Sequence, residues 1–245
     1  MAGYGEDLAS VHDAGFLGVA REAARFVAAE LEQAGLEEGT VVELGCGSGA
    51  TAAALGEAGH RVLGFELSEA MLRLARERAP GAKLLAGSLF DAELPRCDAV
   101  VAVGEVVNYA FDPRSSKRAL AAFFARAREA LRPGGLLVFD AAGPGRAPGG
   151  RSSGFRHGED WAVIFEARED RGGRRLTRRI TTFRRAGGGP GGGWRRSDET
   201  HELRLYAASE LARMLRRGGF RVRIRRGYGA EPLGPGLRVL VARRS

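Results

Sequence analysis

TVVELGCGSGATAAALGEAGHRVLGFE, residues Thr40 to Glu66, is the stretch from which the rest of this chain can be read. Val41 to Leu44 form a short apolar run with the length of a strand. Gly45, Gly47 and Gly49 follow at every second position, then a segment of small residues, then a second apolar run that ends in Glu66. Strand, glycine turn, helix, strand is the order of a nucleotide-binding βαβ unit. Glycine lets the backbone turn sharply and approach a ligand closely, and the helix N-terminus behind it favours electron-rich groups. An acid ending the second strand about 20 residues on can accept both ribose hydroxyl hydrogens. Glu66 is that acid, with Leu67 beside it.

Which nucleotide fits is decided one step upstream. Gly45, Gly47 and Ala50 also satisfy GxGxxG/A, so a NAD-dependent oxidoreductase is one reading. Glu43 argues against it. A carboxylate beside a pyrophosphate repels it, whereas a ligand carrying a sulfonium and an ammonium group tolerates or prefers it. With Glu43, Gly45, Gly47 and Gly49 in the pattern E/DxGxGxG, the chain resembles the class I S-adenosylmethionine (SAM) dependent methyltransferases. The resemblance continues through a helix opened by Ser115 or Ser116, the run LRPGG at Leu131 to Gly135, and a strand from Leu136 to Phe139 before Asp140. It covers about Thr40 to Asp140 and implies SAM as the cofactor.

The same resemblance assigns roles after the third and fourth strands. Lys83 to Ala86 leads to Gly87, Ser88 and Leu89, where the family usually places an acid that accepts the adenine amino hydrogen. Ser88 departs from that pattern: a hydroxyl accepts the same bond without charge assistance, and Asp91 is the substitute if the loop shifts. Asp98 to Val103 is almost wholly apolar, which suits a strand buried on both faces. Gly104, Glu105, Asn108 and Tyr109 then lie beyond its carboxyl end, where an open parallel sheet binds ligands. The expected cofactor set is therefore Glu43, Gly45, Gly47, Gly49, Glu66, Leu67, Ser88, Leu89 and Gly104.

Before this core, residues 16 to 34 carry Leu17, Ala20, Ala24, Val27, Ala28 and Leu31 at helical spacing, closed by Gly35. The leader YGEDLASVHDAGF reads as a helix cap and surface loop; in similar methyltransferases such a leader folds over cofactor or acceptor, which makes Tyr4, His12 and Asp13 candidates. After the core, Ala141 to Gly154 shifts to Gly, Pro, Ser and Arg and reads as a linker. Three alternating segments follow, WAVIFEARE, LTRRITTFRR and WRRSDETHELRLY, the last two joined by a tip, AGGGPGGG. They read as an antiparallel sheet and look like the lid inserted after strand five in small-molecule methyltransferases, among them the glycine and amino-sugar N-methyltransferases. A helix capped by Ser209 and two strands, Phe220 to Arg225 and Leu237 to Ala242, close the chain.

The expected fold is α/β: a Rossmann-like, seven-stranded, mostly parallel sheet with helices on both faces. By resemblance its last strand is antiparallel and an antiparallel β lid follows strand five. Residues 1–142 form the N-terminal helix and SAM-binding core, 143–206 the linker and lid, and 207–245 the closing helix and strands.

Length and composition are compatible with this. The chain has 245 residues, 44% of them apolar, and no apolar run of membrane-spanning length; a soluble, cytoplasmic protein is expected. Two cysteines are too few for a disulfide framework and lack metal-ligand spacing, so no metal is expected. A net charge of +8 raises the possibility of nucleic acid. The arginines are scattered, however, which reads as compositional bias rather than a binding face. Methyl transfer from a sulfonium is an in-line displacement that needs a base only if the acceptor must lose a proton. Glu105, His157, His201 and Tyr206 are the possible bases; His201, which lies on a lid strand, Tyr206 and Glu105 are singled out. The expected activity is transfer of a methyl group from SAM to nitrogen or oxygen of a small molecule. The rivals are an RNA or other nucleic-acid methyltransferase, the NAD-dependent oxidoreductase, and a non-catalytic SAM-binding domain.

Overall fold

The computed structural model of the chain describes residues 3–186, 192–230 and 232–245. Its first half runs α1 (Glu6–Gly15), α2 (Gly18–Glu32), β1 (Thr40–Leu44), α3 (Ala50–Glu57), β2 (Arg61–Glu66), α4 (Glu69–Arg78), β3 (Lys83–Ala86), β4 (Cys97–Ala102), α5 (Lys117–Ala130) and β5 (Leu131–Ala142). The second half runs β6 (Arg151–His157), β7 (Trp161–Glu169), β8 (Arg175–Arg185), β9 (Trp194–Arg204), α6 (Ala208–Arg217), β10 (Phe220–Arg225) and β11 (Leu237–Arg244).

Seven strands form one sheet in the order β10-β11-β5-β4-β1-β2-β3. β5, β4, β1, β2 and β3 are parallel neighbours, while β11 lies antiparallel to both β5 and β10. Successive residues of a strand point to opposite faces, and both faces are covered. Val41, Ala99, Val101, Leu136 and Val138 meet Ala24, Val27 and Leu31 of α2 and Leu55 of α3. Val42, Val100, Leu137 and Phe139 meet Leu120 and Phe123 of α5 and Leu211 and Leu215 of α6. Each helix therefore buries a stripe and each central strand both of its faces, which accounts for the nearly unbroken apolar runs. β10 sits at the sheet edge, with Arg221, Arg223 and Arg225 exposed.

The glycine turn is a conformational necessity. Gly45, Gly47 and Gly49 all have positive φ, +66°, +54° and +80°, a region that side chains disfavour. A Cβ on Gly45 would stand 2.6 Å from Val106, and one on Gly49 2.9 Å from the Ala75 backbone, so the loop, α4 and the segment after β4 pack only around hydrogen.

β6, β7, β8 and β9 form a separate four-stranded antiparallel sheet between β5 and α6. It has one strand more than the three segments read from the sequence. The supposed linker is ordered strand at both of its ends: β5 continues to Ala142 and β6 begins at Arg151. Residues 187–191 of the expected AGGGPGGG tip lie outside the described residues. Two further differences concern the helices. The leader is a true helix, α1, and α6 is capped by Ala207 without a side-chain bond, Ser209 being its second residue. Ser68 and Ser116 do cap α4 and α5, accepting from Met71 N (3.2 Å) and Ala119 N (3.1 Å).

Candidate functional site

The lid sheet is fixed to the core at the segment after β4. Asn108, fully buried, donates to the carbonyls of Ala142 (2.8 Å) and Arg204 and accepts from Ala142 N (2.9 Å), so one amide ties the ends of β5 and β9 together. Ala110 N donates to Glu202 O at 2.8 Å. On the other side, Leu8 and Val11 of α1 pack on Val163 and Ile180 of the lid. Helix α1 is thereby sandwiched between the lid and α4, and its near end roofs a cleft at the carboxyl ends of the core strands.

That cleft encloses about 720 Å³ including its open mouth. Seven of the nine residues expected to hold the cofactor line it: Gly45, Gly47, Glu66, Leu67, Ser88, Leu89 and Gly104. Tyr4 and His12 come in from the N-terminal segment, and Tyr109, Phe111 and Asp112 from the chain after β4. Gly47 has nothing within 4 Å of where a Cβ would be, so its backbone faces open space, as a ligand-approach position requires.

The carboxylate of Glu66 accepts from Leu67 N (2.7 Å), Ser68 N (2.8 Å) and Gly47 N (2.9 Å). Burial pushes it up from the usual carboxylate range, against the pull of those three bonds. They fix its rotamer at the cleft wall and tie the end of β2 to the glycine turn. The Ser88 hydroxyl donates to Asp112, whose other oxygen takes the Arg114 guanidinium at 2.9 Å; Asp91 Oδ1 accepts from Ser88 N at 3.2 Å. The carboxylate beside Ser88 thus comes from the loop after β4. The sequence signal for it was slight, an FDPRSS turn.

The other two expected cofactor residues stand behind the wall. Gly49 begins α3 against Ala75. Glu43 is 2% exposed beneath the turn, and its Oε2 has no hydrogen-bond partner among the described residues. Burial raises its pKa to about 8.

The three residues singled out for catalysis are placed differently from one another. Glu105, at a left-handed φ of +62°, gives its carboxylate to Arg146 Nε (2.6 Å) and Arg178 (2.9 Å). Burial works to raise its pKa, but the two guanidiniums outweigh this and hold it below the ordinary range. Tyr206 is 7% exposed within the main core among the α5 and α6 contacts. His201 is 1% exposed; it pairs with Glu199 at 2.9 Å, and its ring abuts Tyr4, Tyr109 and Phe111 from behind. Glu199 in turn accepts from Tyr4 N and Gly5 N, both at 2.9 Å. His201 therefore supports the aromatic wall and the N-terminal segment; none of the three is among the residues lining the cleft.

That wall suits a sulfonium cation. The Tyr4 and Tyr109 hydroxyls meet at 2.8 Å, with Phe111 and His12 alongside, and ring faces attract cations. Burial lowers His12 to about 4, so it is neutral at physiological pH and adds no like charge, and its Nδ1 has no hydrogen-bond partner among the described residues. Among the described residues no three metal-ligating side chains converge, and no helix is long and apolar enough to cross a membrane.

Comparison with known proteins agrees with this geometry. Residues 41–135 match the family model described as a methyltransferase domain. YqeM of Bacillus subtilis strain 168, whose name assigns it provisionally to the methyltransferases, is 28% identical over 196 residues, 76% of this chain and 75% of that protein. DesVI of Streptomyces venezuelae superposes with a TM-score of 0.78 at 25% identity, covering 99% of this chain and 100% of that one. SAM-bound CalS10, an amino pentose methyltransferase from Micromonospora echinaspora, gives 0.74 at 24% identity, covering 96% and 97%. The glycine turn, the acid-ended second strand and the lid after strand five give this chain the fold of the class I S-adenosylmethionine-dependent methyltransferases, and residues 41–135 match a methyltransferase domain.

Proposed function

We propose that the enzyme methylates a nitrogen of a small, hydroxylated acceptor of the amino-sugar class, held between the cleft and the inner face of the lid. The observation that supports this most is enclosure. Tyr4 and His12 of the N-terminal segment and Tyr109 and Phe111 of the chain after β4 close the far side of the cleft, backed by His201 and Glu199 of β9, leaving room for a compact molecule rather than a nucleic-acid strand. The likeness to CalS10, an amino pentose methyltransferase, extends through the lid and points to the same acceptor class.

On this reading Glu66 holds the ribose, Ser88 with Asp112 faces the adenine edge, and Gly45, Gly47 and Gly104 offer backbone to the amino-acid portion. SAM supplies the electrophilic methyl group. The protein contributes alignment, on the order of 7 kcal/mol or more in well-oriented systems, and a wall of neutral rings that solvates the cation less well than water. Glu105 is committed to two arginines and does not line the cleft, so on this reading the acceptor is taken up as its neutral amine, the C–S bond breaks as the C–N bond forms, and the methylated ammonium loses its proton to solvent. His201 acts by positioning, through Glu199 and the N-terminal segment. Gly49 and Glu43 support the turn from below.

Methyl-labelled SAM incubated with a panel of amino sugars, hydroxylated analogues lacking the amine, and RNA tests the proposal. Label on an amino sugar and none on its deaminated analogue is the expected result. Label on RNA alone would overturn it.

A further inference from the structure

Asp140, an acid set in the apolar end of β5, and Tyr228, in the loop between β10 and β11, are each 2% exposed and stand outside the lining of the cleft. A carboxylate buried this deeply needs donors. Asp140 has three: Gly104 N and the Tyr228 hydroxyl donate to Oδ2, both at 2.7 Å, and Glu105 N donates to Oδ1 at 2.6 Å. Burial pushes the acid up from the usual carboxylate range against those bonds, and it pushes the Tyr228 hydroxyl well above its ordinary value, so the phenol keeps its proton and donates. The Tyr228 ring is seated against Phe26 of α2, 5.9 Å between centroids.

What the carboxylate holds is a turn with two successive positive φ angles, Gly104 at +93° and Glu105 at +62°. Glu105 is one of two residues other than glycine so placed among the described residues, in a region that side chains disfavour. Successive N–H groups in a turn of this kind converge on one anion. The peptides are trans, and in a trans peptide the carbonyl points opposite to the N–H that follows it. By drawing back the N–H groups of Gly104 and Glu105, Asp140 turns the carbonyls of Val103 and Gly104 the other way. Val103 and Gly104 line the cleft and Asp140 does not, so that way is inward. Among the described residues neither carbonyl accepts a hydrogen bond.

We propose that Asp140 and Tyr228 are positioning residues for the cofactor, holding the Gly104–Glu105 turn so that the carbonyls of Val103 and Gly104 face the ammonium group of SAM. This rests on the reading that puts the amino-acid portion of SAM beside Gly104. An ammonium has three donors and no acceptor. Two unpaired carbonyls suit it, whereas the same peptides flipped would set two N–H dipoles against the cation.

Calorimetry with two ligands separates positioning from general support of the fold. S-adenosylhomocysteine carries the amino-acid portion and 5′-methylthioadenosine lacks it, while both carry adenine and ribose. Tyr228→Phe keeps the ring against Phe26 and removes the donor; Asp140→Asn replaces one accepting oxygen by a donor. S-adenosylhomocysteine should bind about fivefold more weakly to the first and about 20-fold more weakly to the second, an indirect share of the factor of roughly 10 to 100 that a hydrogen bond to a charged group carries. 5′-Methylthioadenosine should bind wild type and both variants alike. Equal weakening of the two ligands overturns the inference, and so does undiminished S-adenosylhomocysteine binding by the variants; Tyr228→Phe decides alone if Asp140→Asn does not fold. A wild-type protein that binds S-adenosylhomocysteine no more tightly than 5′-methylthioadenosine overturns the placement of the amino-acid portion itself, and the inference with it.

Discussion

Glu43 and Glu66 bracket the glycine turn, yet their surroundings make them respond oppositely to substitution. Glu66 is satisfied by three backbone N–H groups and faces the cleft. Glu66→Ala should weaken SAM binding by on the order of 2 kcal/mol, because hydrogen bonds to a charged acceptor are each worth roughly 1.5 to 3. Calorimetry reads this directly, and an unchanged dissociation constant would remove the ribose from this position. Glu43 is buried with one oxygen unpartnered, and its pKa is raised from 4.5 to about 8. The folded state holds that proton more tightly than the unfolded chain does. Stability from this group is fully present below the unfolded value of 4.5 and is lost as pH rises through about 8. Denaturant titrations should therefore find the cofactor-free protein more stable at pH 6 than at pH 9. Glu43→Gln, which removes the titrating proton, should flatten that difference.

Among the elements, α1 is the least self-sufficient and the most heavily tied. Asp13 pairs with Arg78, Nη2 to Oδ2 at 2.9 Å, and the same guanidinium donates to the Ser48 carbonyl at 2.6 Å; Glu6 meets Arg73, and Asp7 meets Arg195. Arg78→Ala removes the link between α1 and the glycine turn together. Its ion pair is partly exposed, so a loss of about 1 kcal/mol in SAM affinity is expected, measured by calorimetry, with the fold retained by circular dichroism. The unit β1–α3–β2 was legible in the sequence because its glycines, small helix and terminal acid are local requirements, and seven of the nine cofactor residues named from it and its neighbours do line the cleft. Helix α1 was not, since EDLASVHDAG offers chiefly Leu8 and Val11 as an apolar stripe, and what they pack on, Val163 and Ile180, is far away in the chain. β6 was missed for a similar reason. RSSGFRH alternates nothing, and only pairing with β7 makes it a strand. Asp112 reaches Ser88 through a loop path that the tertiary fold alone determines.

For the whole molecule, the +8 charge resides on arginines, several of which the fold pairs with buried acids. Arg146 and Arg178 neutralise Glu105, Arg132 holds Asp98, and Arg223 meets Glu30. A surface whose cations are dispersed in this way releases few counterions on meeting its substrate. Methyl transfer should therefore change little between roughly 50 and 200 mM salt, whereas a nucleic-acid enzyme making several phosphate contacts would lose orders of magnitude. The roof over the cleft has a further consequence, in time rather than in space. Tyr4 and His12 are held down at once by Glu199, Ser68 and the Asp13–Arg78 pair. Spent cofactor leaves only when several of these contacts break together, while chemistry proceeds with the roof in place. Rapid mixing of SAM-loaded enzyme with acceptor should then show one fast turnover per active site followed by a slower steady rate, and Arg78→Ala should raise the slow phase while leaving the fast one unchanged.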